Sequence, residues 1–259
     1  MRIHLFEFED LEWFPDTIRE GMVDFLRYLF KVLKYYSPVV PLLKEALEKT
    51  NQSQLLDLGS GGGGAIEFIH KDLEESMQKN IKITLSDKYP NINAFEYINQ
   101  KSKGKIDYTM NSIDASNVDK DLKGFRTLFT VCHHFKPETV KAILKDAVDN
   151  KTGIAIFDGG DKNLLTILMI VLLQPLEFII ATPFFRPFRI SRILLTYLIP
   201  LIPICTIWDG VVSTLRLYHP KELLKFAEET DDKTYTWKAG KVRNSFGLHI
   251  TYLIGYPNH

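Results

Sequence analysis

The spacing of apolar positions changes along the chain, and each change marks a different kind of element. From Asp16 to Tyr36 they recur every three or four residues (Ile18, Met22, Phe25, Leu26, Leu29, Phe30, Leu33), which paints one stripe on a helix. Asp16 is placed to cap that helix, and Pro38 and Pro41 end it. A shorter helix is predicted from Pro41 to Lys49. Short apolar runs follow at Gln54–Leu58, Ile81–Ser86, Ile106–Met110, Arg126–Cys132 and Gly153–Asp158. Between them lie stretches of helical period, such as Ala65–Gln78 and Pro137–Val148. Strands alternating with helices at this spacing predict a parallel sheet with crossover helices, an α/β fold. The last two runs, Tyr235–Lys238 and His249–Ile254, have no helix between them and are predicted to pair antiparallel.

One segment breaks the alternation. Leu164–Thr182 carries a single charge, Glu177, and Ile190–Trp208 a single charge, Arg192. Between them Arg186, Arg189 and Arg192 interleave with Phe184, Phe185 and Phe188. Either stretch is long enough to cross a membrane, but Pro175, Pro200, Pro203, Glu177 and the sheet elements on both sides argue for an insertion that folds with the domain. Three readings stay open for it. It is a helical cap over an apolar substrate pocket, or a membrane-interface segment with Phe inward and Arg toward phosphates, or plain core. The chain thus divides, within one domain, into N-terminal helices (1–50), an α/β core (51–163), the apolar insertion (164–215) and a C-terminal helix and hairpin (216–259).

Composition narrows the partners. At 259 residues the chain can bury one sizeable core, and its 32 Lys and Arg balance 32 Asp and Glu. No global field draws it to nucleic acid. Its two cysteines, Cys132 and Cys205, form neither a disulfide framework nor a metal-ligand cluster. With an acidic N-terminus unlike a signal peptide, a cytoplasmic protein is expected, peripheral at the inner membrane face if the interfacial reading holds. Nothing fixes its oligomeric state.

The chemistry concentrates after the first strand. Gln54–Leu58 runs into Gly59-Ser60-Gly61-Gly62-Gly63-Gly64 and then a helix. Glycines let the backbone turn tightly and pass close to a ligand, and the helix N-terminus offers free N–H groups. Glycines 59, 61 and 64 also fit G-x-G-x-x-G, so the turn alone does not separate a dinucleotide from S-adenosylmethionine. Asp57, two residues before the first glycine, favours the latter, because it can orient the loop and reach an amino group. Asp87 ends the second strand, where a carboxylate can accept two ribose hydroxyls; Asp114, after the third, can meet an adenine amino group.

This order of motifs resembles the class I S-adenosylmethionine-dependent methyltransferases over about residues 51–160. The resemblance is carried by LLDLGSGGGG, the acid of ITLSDKYP, the NSIDA stretch and LFTVCHHF. It implies a Rossmann-like, doubly wound sheet closed by the antiparallel hairpin, with S-adenosylmethionine as cofactor. It also implies cofactor contacts at Asp57, Gly59, Ser60, Gly61, Gly63, Asp87, Asp114 and Cys132. His133 and His134 follow the fourth strand, at the rim where open α/β sheets bind ligands, as a base or substrate-orienting pair. WDGVVSTLR resembles a stretch of uncharacterised methyltransferase-like bacterial proteins. There Asp209, Ser213 and Arg216 share a helix face at i, i+4 and i+7. That face either holds a substrate head group or fixes the insertion to the core. The expected activity is methyl transfer to a small hydrophobic or lipid-like acceptor. A nucleotide-cofactor oxidoreductase and a non-catalytic, membrane-associated S-adenosylmethionine binder are the alternatives.

Overall fold

The computed structural model describes residues 2–230 and 233–258. Helix α1 (Asp16–Val32) starts after Pro15, and Asp16 is its first helical residue; its carboxylate pairs with Arg19 at 2.6 Å instead of capping the helix. Helix α2 (Val40–Lys49) leads into strand β1 (Gln54–Leu58). Alternation then follows as the pattern predicts: α3 (Gly64–Met77), β2 (Lys82–Asp87), α4 (Ile92–Lys101), β3 (Ile106–Ser112), β4 (Phe125–Phe129), α5 (Pro137–Asp149) and β5 (Ile154–Gly159). Strand β4 stops three residues short of the predicted Cys132. Thr130 takes a φ of 55°, and Cys132–His134 forms a 3-10 turn.

The sheet order is β3-β2-β1-β4-β5-β7-β6, with β6 (Tyr235–Arg243) and β7 (His249–Pro257) forming the expected hairpin. Strands β1 to β5 are parallel, and β7 runs antiparallel to both β5 and β6. The central strand β4 is buried throughout, as a parallel strand covered on both faces should be. One face buries Leu43, Leu47, Ile66, Ile69 and Phe157; the other packs Leu56 and Leu58 against Val140, Ile143 and Leu144. Helix α9 (Pro220–Thr230) joins that second layer through Leu223 and Ala227.

The insertion forms three helices, α6 (Leu164–Ala181), α7 (Ile190–Tyr197) and α8 (Leu201–Arg216). Asn163 caps α6 by accepting the Thr166 N–H at 2.8 Å. The helix continues through Pro175, which forfeits one backbone bond without ending it. Pro203 lies in the first turn of α8, where no N–H is needed. A third cluster, Phe14, Met22, Phe25, Phe178, Phe185 and Ile202, joins the insertion to α1, with Phe25 stacked on Phe178 at 4.1 Å.

Two readings of the insertion are corrected here. It is not core filling: among the described residues, 20 of the 28 exposed large apolar side chains lie between Leu164 and Trp208. Nor do its arginines point together toward a phosphate layer. Arg192 is buried and bonds Asp24 on α1, as well as the Phe185 and Pro187 carbonyls; Arg189 pairs with Glu20. Both are struts between insertion and α1, and only Arg186 of the three is exposed.

Candidate active site

The glycine turn sits at the carboxyl end of β1, between β2 and β4. Gly59, Gly61 and Gly63 all have positive φ, near 67°, 50° and 67°, a backbone that other residues enter at a cost. The loop is packed on one side and open on the other. A Cβ on Gly62 would come within 2.2 Å of Val23 on α1, and one on Gly63 within 2.4 Å of Ile98. A Cβ on Gly61 would meet no protein atom within 4 Å. Bare backbone at Gly61 is therefore where a ligand can approach the loop.

Two carboxylates hold that loop, and a third lies just past β3. Asp57 is buried and accepts hydrogen bonds from Ser60 Oγ and Thr127 Oγ1, both at 2.7 Å. Burial pushes its pKa up to about 7, against the pull of those two hydroxyls. Asp87 holds the loop directly: Oδ2 accepts the Gly61 N–H at 2.8 Å and Oδ1 the Tyr89 N–H at 2.9 Å. Burial raises its pKa above the ordinary value. Asp114 accepts from Ser116 and pairs with Lys88 at 2.9 Å, and those bonds, Ser116's first, draw it down to about 2. Ser60 ties the loop to β2, its N–H bonding the Ser86 carbonyl at 3.0 Å.

The rim beyond β4 carries the remaining candidates. Cys132 is buried, and burial raises its thiol well above the ordinary value, so it stands as a neutral thiol. His133 is buried with its Nδ1 3.1 Å from Asp158 Oδ1, and Asp158 is equally buried. His134 bonds Asp10 at 2.8 Å. Burial pulls its pKa down, but the Asp10 bond and the charges of Glu7, Asp10 and Glu9 outweigh that and hold it up at about 9. At neutral pH it is an imidazolium, which donates a proton and cannot take one.

Asp209 and Arg216 do share a face of α8 with Ser213, but they do not pair with each other. Asp209 accepts the backbone N–H groups of Phe8 and Glu9 at 2.7 and 3.1 Å, and burial raises it to about 6. Arg216 pairs with Glu7 at 2.8 Å and Asp10 at 2.7 Å and donates to the Leu5 carbonyl. Ser213 bonds Glu7. The face therefore clamps the segment from Leu5 to Asp10 across the rim. One nitrogen of each of His133 and His134 and one Glu7 oxygen lie within 4.8 Å of one another, near enough to share a cation. Arg216 already supplies positive charge to Glu7 there.

The structure thus brings Asp57, the glycines, Ser60 and Asp87 together, with Asp114 held by Lys88 just past β3. His133, His134, Asp209 and Arg216 form a second group beside them. Sequence reasoning missed Asp158, Thr127, Glu7, Glu9 and Asp10. Asp158 was within reach, since it ends a strand on the same rim as Asp57 and Asp87. The acids of the N-terminal segment have no periodic signal.

No protein-family model and no curated protein sequence matches the chain. Among solved structures the chain is similar, over 95% of its length, to PigF with SAH (TM-score 0.52, 13% identity). It is similar over 93% to human N-acetylserotonin methyltransferase in complex with SAM (TM-score 0.51, 13% identity). It spans 63% and 58% of those two chains. The likeness is one of fold, and the fold is that of class I S-adenosylmethionine-dependent methyltransferases. The antiparallel β7 between β5 and β6 separates it from the all-parallel dinucleotide-binding order.

Proposed function

We propose that the chain is an S-adenosylmethionine-dependent methyltransferase acting on a small, lipid-like acceptor. The observation that carries this reading is the open backbone at Gly61, held by the Asp87 carboxylate and backed by buried Asp57, on a sheet of this order. When bound, S-adenosylmethionine supplies a methyl group on a sulfonium, which is electrophilic without protein activation. The residues' work is then to hold and orient. Asp87 keeps the loop in place through Oδ2 and has lone pairs left for ribose hydroxyls. Asp57, already bonded by two hydroxyls, fixes Ser60 and the loop's entry, and its negative form suits an ammonium group. Asp114, bonded to Ser116, is the residue we assign to the adenine amino group.

On the acceptor side, His133 is the residue suited to take a proton, because Asp158 is bonded to its Nδ1 and orients its ring. His134, an imidazolium, suits the role of donor to an acceptor oxygen. The lipid-like class is supported by the apolar surface of the insertion, which ends at Trp208, next to Asp209 of the rim. Calorimetry tests the cofactor half: S-adenosylmethionine and its demethylated product should bind and NAD should not. Tight NAD binding without a response to S-adenosylmethionine refutes the reading and revives the oxidoreductase alternative.

A further inference from the structure

Helix α6 is about 27 Å long at 1.5 Å per residue. Its ten exposed apolar residues span an arc of about 200° when projected at 100° per residue. The buried residues Gln174, Phe178 and Ala181 face the opposite way, toward the domain. Glu177, the one charge on the helix, lies about 40° outside the exposed arc on the same projection. Helix α7 adds a stripe of Ile190, Leu194 and Tyr197, and α8 adds Leu201, Ile204 and Trp208. Tyr197 on α7 bonds the Ile179 carbonyl on α6, and all three helices pack together. From Asp209 onward α8 is held in the rim through Asp209 and Arg216.

This surface is on the order of 1,500 Å², against the 300–600 Å² of the largest patch on an ordinary monomer. It is about twice what one partner contributes to a standard protein interface. Three features select its occupant. A rigid protein partner covers one side of a helix, whereas a 200° arc needs a medium that flows around it. The face itself carries no charge, and the exposed cations nearest to it in the chain, Lys162 and Arg186, stand just outside its ends. Such an arrangement complements hydrocarbon bounded by phosphates. By length and composition Leu164–Phe184 could cross a membrane. However, Ile170 and Gln174 pack beside Gly210 of α8, whose later turns are held in the rim, and Phe178 stacks on Phe25 of α1, so it lies along the surface.

We propose that the α6–α7–α8 face is a monotopic membrane-docking surface that sinks into one leaflet of a lipid bilayer and brings the rim at Asp209 to the lipid boundary. The attraction is apolar contact. Arg189 and Arg192, committed to Glu20 and Asp24, take no part in it.

The test is flotation of the full chain with phosphatidylcholine vesicles, with and without phosphatidylglycerol, and it needs no cofactor or activity. Wild type should float with both kinds, and high salt should not release it. Replacing four outward residues (Leu172→Gln, Leu176→Gln, Ile180→Gln, Leu198→Gln) should weaken partitioning by about a hundredfold or more. Arg186→Gln should change it by no more than about fivefold. Should the fourfold variant not fold, wild-type tryptophan fluorescence should be quenched by acyl-brominated phosphatidylcholine, and less so in Trp208→Phe. Wild type that stays down with both vesicle kinds overturns the proposal. So does a stable dimer by light scattering that ignores vesicles and that the same four substitutions dissociate.

Discussion

Replacing Asp87 by Ala removes two things at once, the anchor of the glycine loop and the acceptor for a ribose. The anchor is visible as the Gly61 N–H bond at 2.8 Å, on the same carboxylate whose other oxygen takes the Tyr89 N–H. A hydrogen bond to a charged acceptor contributes about 1.5–3 kcal/mol, so losing one to the cofactor weakens binding by about ten- to 150-fold. Freeing Gly61 adds to that loss, because the open loop must then be ordered by the ligand itself. Calorimetric titration with S-adenosylmethionine measures the sum. Asp87→Asn should fall between wild type and Ala, since its amide oxygen can still accept the Gly61 N–H. An unchanged Kd in Asp87→Ala refutes the reasoning and makes Asp87 a turn residue only.

Three more outcomes follow from the same geometry. His134, held up at about 9 in the fold, stabilises fully below its unfolded pKa near 6.5 and loses that contribution as pH rises through 9. Thermal scans from pH 7.5 to 9.5, above the titrations of Asp57, Glu9 and Asp209, should show Tm falling more steeply in wild type than in His134→Gln, the shared remainder coming from the buried Cys132 and Cys205 thiols. Arg192→Gln leaves the buried Asp24 with only the longer Arg189 contact at 3.9 Å and should cost about 3 kcal/mol, or about 10 °C in Tm. The loss should be smaller at pH 5 than at pH 8, because burial already raises Asp24 to about 6 and protonation removes the stranded charge. His133→Asn should lower methyl transfer by about 10²–10⁴-fold at unchanged S-adenosylmethionine Kd, measured as kcat beside calorimetry.

The sheet and the cofactor turn were legible because their signals are local. A short apolar run, then glycines, then period 3.6 mark β1, the loop and α3 without help from distant residues. The hairpin of β6 and β7 was legible for the same reason, though β6 runs five residues past the predicted Lys238, its continuation paired to β7 and half exposed. What stayed hidden depends on partners far along the chain. Arg192 reads as interfacial beside phenylalanines, and only Asp24, 168 residues away, turns it inward. The role of Asp209 and Arg216 is set by Leu5 to Asp10, some 200 residues earlier, in a segment with no period. The exposure of α6 was hidden too, since an apolar helix is equally at home in a core.

The most direct measurement is transfer of a labelled methyl group from S-adenosylmethionine by wild type and Asp87→Ala, offered lipid extract and aqueous metabolites separately. Label entering the lipid fraction with wild type, and falling sharply with Asp87→Ala, is the expected result. Label in neither fraction under conditions where the cofactor binds, or label confined to the aqueous one, contradicts a lipid-directed methyltransferase.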